Sequence, residues 1–141
     1  MIVEYKRCGY IRYGEFEDAM YDEDEIEDAR DSMKKTGRIT TLSNRSNALV
    51  FVKQTTAYHQ KTGCRYVALC DYDGLVLLQF RGGKDLNSVY ATTVLRLVFR
   101  KALLQFLLEA CLDVDTDRDE VNSRRVMACW VNSEYVQDAR E

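Results

Sequence analysis

Two short segments carry residue types at spacings that can do chemistry. Near the start, Ile2-Val3-Glu4-Tyr5-Lys6 places a carboxylate and an ammonium two residues apart in an apolar run. Residues two apart on a strand face the same way, so Glu4 and Lys6 share one face. Downstream, Gln54-Thr55-Thr56-Ala57-Tyr58 places a glutamine and a tyrosine four apart, which aligns them on one face of a helix. A carboxylate beside an ammonium at a strand end can hold a divalent metal such as Mg2+ and polarise water. An amide and a phenol on a neighbouring helix can contact phosphate or brace such a site. Each pair also has a plainer reading. Glu4 and Lys6 can equally be a solvated ion pair on an edge strand, which contributes little, and Gln54 and Tyr58 can be ordinary helix surface.

In this order, Glu4-Tyr5-Lys6 resembles the E-x-K motif of the PD-(D/E)XK (restriction-endonuclease-like) nuclease superfamily. Gln54 with Tyr58 resembles the Q-x-x-x-Y helix motif of one large branch of it. The stretch Cys64–Phe80 is similar to the strand pair that follows that helix, so the resemblance covers about residues 1 to 80. It implies an α/β fold, a small mixed sheet flanked by helices that forms a partial restriction-endonuclease-like core. It also implies Glu4, Lys6, Gln54 and Tyr58 as the catalytic set, Glu4 as a metal ligand, Mg2+ as the cofactor and nucleic acid as the partner. The family core begins with a helix and two strands ahead of the E-x-K strand, and the second of those strands carries the first metal-binding Asp. Here Met1 stands three residues before Glu4, and that Asp has no counterpart. The expectation is an N-terminally incomplete, degenerate nuclease-like domain with no phosphodiester hydrolysis of its own. It is either inactive or completed by another chain, and keeps at most weak nucleic-acid or metal binding. The competing class is a protein interaction module without nuclease ancestry, in which the two motifs coincide by chance.

Composition sets the frame. The chain has 141 residues, enough for one domain, with 46% hydrophobic residues to build a core and 30% charged residues. No apolar run approaches the roughly 20 residues that span a bilayer, and no basic-then-apolar leader opens the chain. Five cysteines, an odd number without a Cys-x-x-Cys pair, point to reduced thiols in an intracellular protein of cytoplasm or nucleus. Charge is unevenly placed. Residues 1–36 carry six basic and eleven acidic groups, net −5. Residues 37–112 carry ten basic and four acidic, net +6, and residues 113–141 carry four basic and eight acidic, net −4. The basic middle suits a polyanion; acidic flanks that merely balance it within one domain are the alternative. The division is into a nuclease-like domain over 1–112 and an acidic C-terminal segment over 113–141.

The pattern along the chain positions the two motifs. Residues 1–6 read as a strand, with Cys8 to Tyr13 as an optional continuation. Phe16, Ala19, Met20, Ile26, Ala29 and Met33 recur at helical spacing and predict a helix over 15–35, stopped by Gly37. A second helix spans about Asn44 to Lys61, with Ser43 or Asn44 as N-cap and Gly63 at its end. Residues 64–70 and 75–80 form a hairpin about Asp71-Tyr72-Asp73-Gly74, with Gly74 supplying positive φ. Apolar residues on both faces of each run predict a sheet covered on both sides. Arg81-Gly82-Gly83 reads as a break. Val94, Leu95, Val98, Phe99, Ala102, Leu103, Phe106, Leu107 and Ala110 make a continuous apolar stripe and predict one long helix from about Asn87 to Cys111. Residues near Val126 to Val131 predict a short strand.

Other features carry less. The acidic run Asp22–Glu25 reads as a solvated helix face. Residues 113–124 start like a calcium loop but place Arg118 where the sharp turn needs Gly and Arg124 where a bidentate Glu belongs. His59 is the single histidine, makes no zinc spacing with the cysteines, and reads as surface on the Gln54 helix. A strand at 1–6 without the strands that precede it in the family leaves an open sheet edge, which favours a homodimer or a partner chain completing the sheet.

Overall fold

The structure is a computed structural model that describes residues 1–80, 88–112 and 125–128. It is α/β: a small mixed sheet flanked by helices. Five strands lie in the order β1-β2-β3-β4-β5, with β1 Ile2–Tyr5, β2 Tyr66–Cys70, β3 Leu75–Phe80, β4 Ser88–Val94 and β5 Arg125–Ala128. β1 runs parallel to β2, with Glu4 opposite Leu69, and the other pairings are antiparallel. Parallel neighbours need a long crossover. Here it consists of α1 Tyr13–Glu17, α2 Ile26–Thr36 and α3 Asn47–Thr62. α4, Phe99–Leu112, follows β4 through a turn of 3-10 helix at Arg96–Val98.

Alternation along the strands sorts the apolar residues into two layers, as expected. Ile2, Val67, Leu69, Val76, Leu78 and Phe80 pack with Phe16, Ala48, Phe51 and Val52 of α1 and α3. Val3, Tyr66, Ala68, Leu75 and Leu77 point the other way and pack with Phe106, Phe99 and Ala102 of α4. The strands are therefore apolar on both faces because both faces are covered.

Several expectations need correction. The span 15–35 is two helices, α1 and α2. Phe16, Ala19 and Met20 belong to the α3-side core, whereas Ile26 and Met33 pack with Tyr21 and Tyr90. One straight helix cannot serve both. The four acids at 22–25 are exposed in the turn that leads into α2, not on a helix face. Residues 87–111 are not one helix, because Ser88–Val94 is the β-branched strand β4, paired along β3 from Leu75↔Val94 to Phe80↔Val89. The N-cap of α3 is Ser46, whose side chain accepts from Leu49 N at 3.2 Å, rather than Ser43 or Asn44. Gly37 and Gly63 end their helices in the left-handed conformation, at φ 69° and 70°. Gly74 lies outside the positive-φ region. Glycine is needed there for space, since a Cβ would stand 2.8 Å from Ile11 Cγ2. The strand near 126–131 is present as β5, at the edge away from β1. Strand β1 does not continue beyond Tyr5. The Arg81-Gly82-Gly83 break and the 113–124 loop lie outside the described residues.

Candidate functional site

The two motifs meet. Glu4 points from β1 toward the α3 layer, on the same side as Ile2. Lys6 follows one residue past the strand end, where its backbone N–H donates to Cys70 O at 2.8 Å. That bond extends the ladder and keeps Lys6 in phase with Glu4. On α3, Gln54 and Tyr58 stand one turn apart, and Gln54 Nε2 donates to Tyr58 Oη at 2.8 Å. Across the interface, Lys6 Nζ donates to Glu4 Oε1 at 3.0 Å and to Gln54 Oε1 at 2.5 Å. Tyr58 Oη donates to Glu4 Oε2 at 3.3 Å, and Gln54 Nε2 lies 3.4 Å from Glu4 Oε1. All four side chains expected from the sequence thus form one connected hydrogen-bonded set.

Burial is unequal within it. The Lys6 side chain retains 11% exposure and Glu4 25%. Lys6 Nζ also lies 4.8 Å from the centroid of the Phe51 ring, a cation–π contact strengthened by desolvation. Both ions are neutralised within the set, so the site is charge-balanced and its polar atoms face one another. Glu4 is its one carboxylate. No group of three His, Cys, Asp or Glu able to hold a metal occurs among the described residues. Mg2+ asks for an octahedron of oxygens, commonly with more than one carboxylate or with phosphate. Among the described residues the donor set falls short of what a resident divalent cation needs, and the positive charge beside Glu4 is already the ammonium of Lys6.

A second polar cluster supports the strand end that carries Lys6. Asp71 is buried, with Oδ2 accepting from Gly9 N at 3.1 Å and Ile11 N at 3.2 Å. Its Oδ1 accepts from Asp73 N at 2.8 Å and Gly74 N at 2.6 Å. One carboxylate therefore ties the β2–β3 turn to the chain leaving β1. Tyr13 clamps the same end of the sheet, accepting from Leu75 N at 2.9 Å and donating to Val94 O, the residues paired across β3 and β4. Burial holds its phenol above the ordinary 10.0. Glu15 Oε2 accepts from Ala48 N at 3.1 Å, in the first turn of α3. Phe51, Tyr13 and Glu15 do not stand out in the sequence as part of the site, and Asp71 stands out there only as a turn residue. Only Asp71 carried a usable signal, in Asp71-x-Asp73-Gly74 right after a strand, where an Asp side chain bonds backbone two residues on.

His59 is not free surface. It stacks on Phe80 at 4.7 Å between centroids, with Nδ1 2.9 Å from Cys64 O, and so packs the end of α3 against β3. The described cysteines Cys8, Cys64, Cys70 and Cys111 are all free. Burial foremost pushes the Cys70 thiol above its ordinary range, which makes it a weaker nucleophile. No described helix is long and apolar enough to cross a membrane. Compared with known proteins, the chain matches no family model, no curated protein and no solved structure.

Proposed function

We propose that this chain is a nuclease-like domain of the PD-(D/E)XK kind that has kept the brace of the site without the ligands for a metal. On this reading it binds nucleic acid without cleaving it by itself. The observation that carries the reading is the convergence of Glu4, Lys6, Gln54 and Tyr58. They come from segments about fifty residues apart and form one hydrogen-bonded set. The two motifs could each have arisen without touching, and their contact supports a common origin. Hydrolysis of a phosphodiester through a metal needs several oxygen ligands around the ion, and Glu4 offers one carboxylate. Mg2+ would join only with acidic ligands from beyond the described residues. A partner chain pairing along β1 is the natural source, because β1 is the end strand of the described sheet and pairs with β2 alone. The net +6 of residues 37–112 supplies attraction for a polyanion. The free thiols fit a reducing compartment, cytoplasm or nucleus.

Fluorescence anisotropy with labelled single- and double-stranded DNA over a series of salt concentrations tests the binding. Affinity should fall with salt and should drop further in Lys53→Glu/Lys61→Glu, two positions on α3. Gel assays with Mg2+ or Mn2+ should show no cleavage, and calorimetric metal titration should not distinguish the chain from Glu4→Gln. Cleavage that disappears in Glu4→Gln and Lys6→Ala would restore an enzyme. Absence of any salt-sensitive binding would remove the nucleic-acid reading and leave a protein interaction module, which the exposed leucines along α4 favour.

A further inference from the structure

α4 is apolar on two opposite sides, and among the described residues only one of them is packed. Phe99, Ala102, Leu103, Phe106 and Ala110 face the sheet and pack into the core beneath it. At 100° per residue, Leu104 and Leu108 lie on the far side of the same helix, with Leu107 on its flank. Leu104 is 58% and Leu108 53% exposed, and the stripe extends to Leu97 at 97% and Leu112 at 70%. A contiguous exposed apolar stripe of this kind marks an interaction surface rather than scattered surface leucines, and a standard interface takes roughly 800 Å2 from each partner.

The charges on the helix are placed against its own dipole. Arg100 and Lys101 sit in its first turn, which has no acidic residue, and its last turn has no basic one. A cation at the N-terminus and none at the C-terminus is unfavourable for an isolated helix. A second α4 laid antiparallel reverses this, because the basic first turn of each helix then lies beside the negative end of the other. The stripe is also self-complementary about a two-fold axis between Leu104 and Gln105. That axis sets Leu97 against Leu112 of the partner subunit, brings the two Leu104 side chains together, and lays the Lys101 stem over Leu108 of the partner subunit. Contacts that repeat in this way define an isologous interface.

We propose that the outer face of α4 is a homodimer interface, with the two α4 helices antiparallel and crossing at Leu104. It lies on the side of the sheet opposite Glu4, Lys6, Gln54 and Tyr58, so it leaves that site open and does not depend on the nuclease-like reading. The dimer does not use the β1 edge, which stays free for a different chain.

Sedimentation equilibrium of the full chain over the micromolar range should show a reversible dimer. Leu104→Glu/Leu108→Glu should raise its dissociation constant about tenfold or more, the scale of losing an interface anchor. Val50→Glu, at an exposed position on α3, should leave it unchanged. Register is tested by oxidation in a background of Cys8→Ser, Cys111→Ser and Cys129→Ser. There, Leu104→Cys should cross-link to its own copy, and Leu97→Cys should link only when mixed with Leu112→Cys. A monomer at every concentration overturns the proposal. So does a dimer that survives Leu104→Glu/Leu108→Glu, or a chain that links Leu97→Cys to itself. A monomer that sediments with anionic vesicles would assign the stripe to lipid and overturn it equally.

Discussion

The Glu4–Lys6 pair lends itself to a double-mutant cycle whose outcome follows from unequal burial. Lys6 Nζ lies 3.0 Å from Glu4 Oε1, and the Lys6 side chain is 11% exposed against 25% for Glu4. Two unit charges about 4 Å apart attract by roughly 4 kcal/mol at an effective dielectric of about 20, and desolvation of both offsets much of that. A coupling of about 1–2 kcal/mol is expected, above the ~0.2–1 kcal/mol of exposed pairs. The single variants should be asymmetric. Glu4→Gln strands the more buried ion, leaving the ammonium with Gln54 and the Phe51 ring, at a cost of about 2–3 kcal/mol. Lys6→Met keeps an apolar stem against Phe51 and leaves a carboxylate that still has Tyr58, Gln54 and water, at about 1–2 kcal/mol. Urea unfolding of the four proteins at low and high salt measures all three quantities, and the coupling should change little with salt because the pair is shielded from counterions. A coupling below about 0.5 kcal/mol, or one abolished by salt, would mean that the set is a solvated surface pair. Equal single-variant costs would refute the argument from exposure.

Three other perturbations probe the frame around the site. Asp71→Ala removes the acceptor for four backbone N–H groups and should cost about 3–5 kcal/mol in urea unfolding; Asp71→Asn should fall between it and the parent, and a loss under about 1 kcal/mol would mean that water replaces the carboxylate. Tyr13 keeps its proton above the ordinary 10.0 in the folded state, so the folded protein binds more protons than the unfolded one from about that pH up to the raised value, and stability should fall as pH rises through this window. Tyr13→Phe should lose about 1–2 kcal/mol at neutral pH and show a shallower alkaline decline, and identical alkaline slopes would contradict the assignment. Gly74→Ala places a Cβ 2.8 Å from Ile11 Cγ2 and 3.0 Å from its Cβ, which should cost about 1–3 kcal/mol; Ile11→Ala in the same chain should recover part of it, and strictly additive losses would place the strain elsewhere.

What was legible in the sequence was local. Gly37 and Gly63 stop helices because a left-handed residue ends the hydrogen-bond ladder, a rule that needs no tertiary contact. The hairpin of β2 and β3 is readable because its turn and its strands are adjacent in the chain. Glu4 with Lys6, and Gln54 with Tyr58, could be assigned to common faces by periodicity alone. What the sequence misled on were places where one pattern served two structures. Val94, Leu95 and Val98 continue the helical spacing of α4 backward, yet Val89-Tyr90-Ala91-Thr92-Thr93-Val94 is also a β-branched run, and the free edge of β3 decided for strand. Phe16 and Ile26 fit one helix by spacing, and only their separate cores require two.

The meeting of the two motifs belongs to the tertiary structure. Spacing places each pair on a face, but which face of α3 lies over which end of β1 is set by Phe51 and Val52 burying against Val67 and Leu69. The same holds for Asp71, whose partners Gly9 and Ile11 lie some sixty residues earlier. Local propensity acts over the few residues that share a turn of helix or a strand. Long-range contacts form only where buried apolar area offsets the entropy of closing the loop between them, and no window of sequence carries that balance.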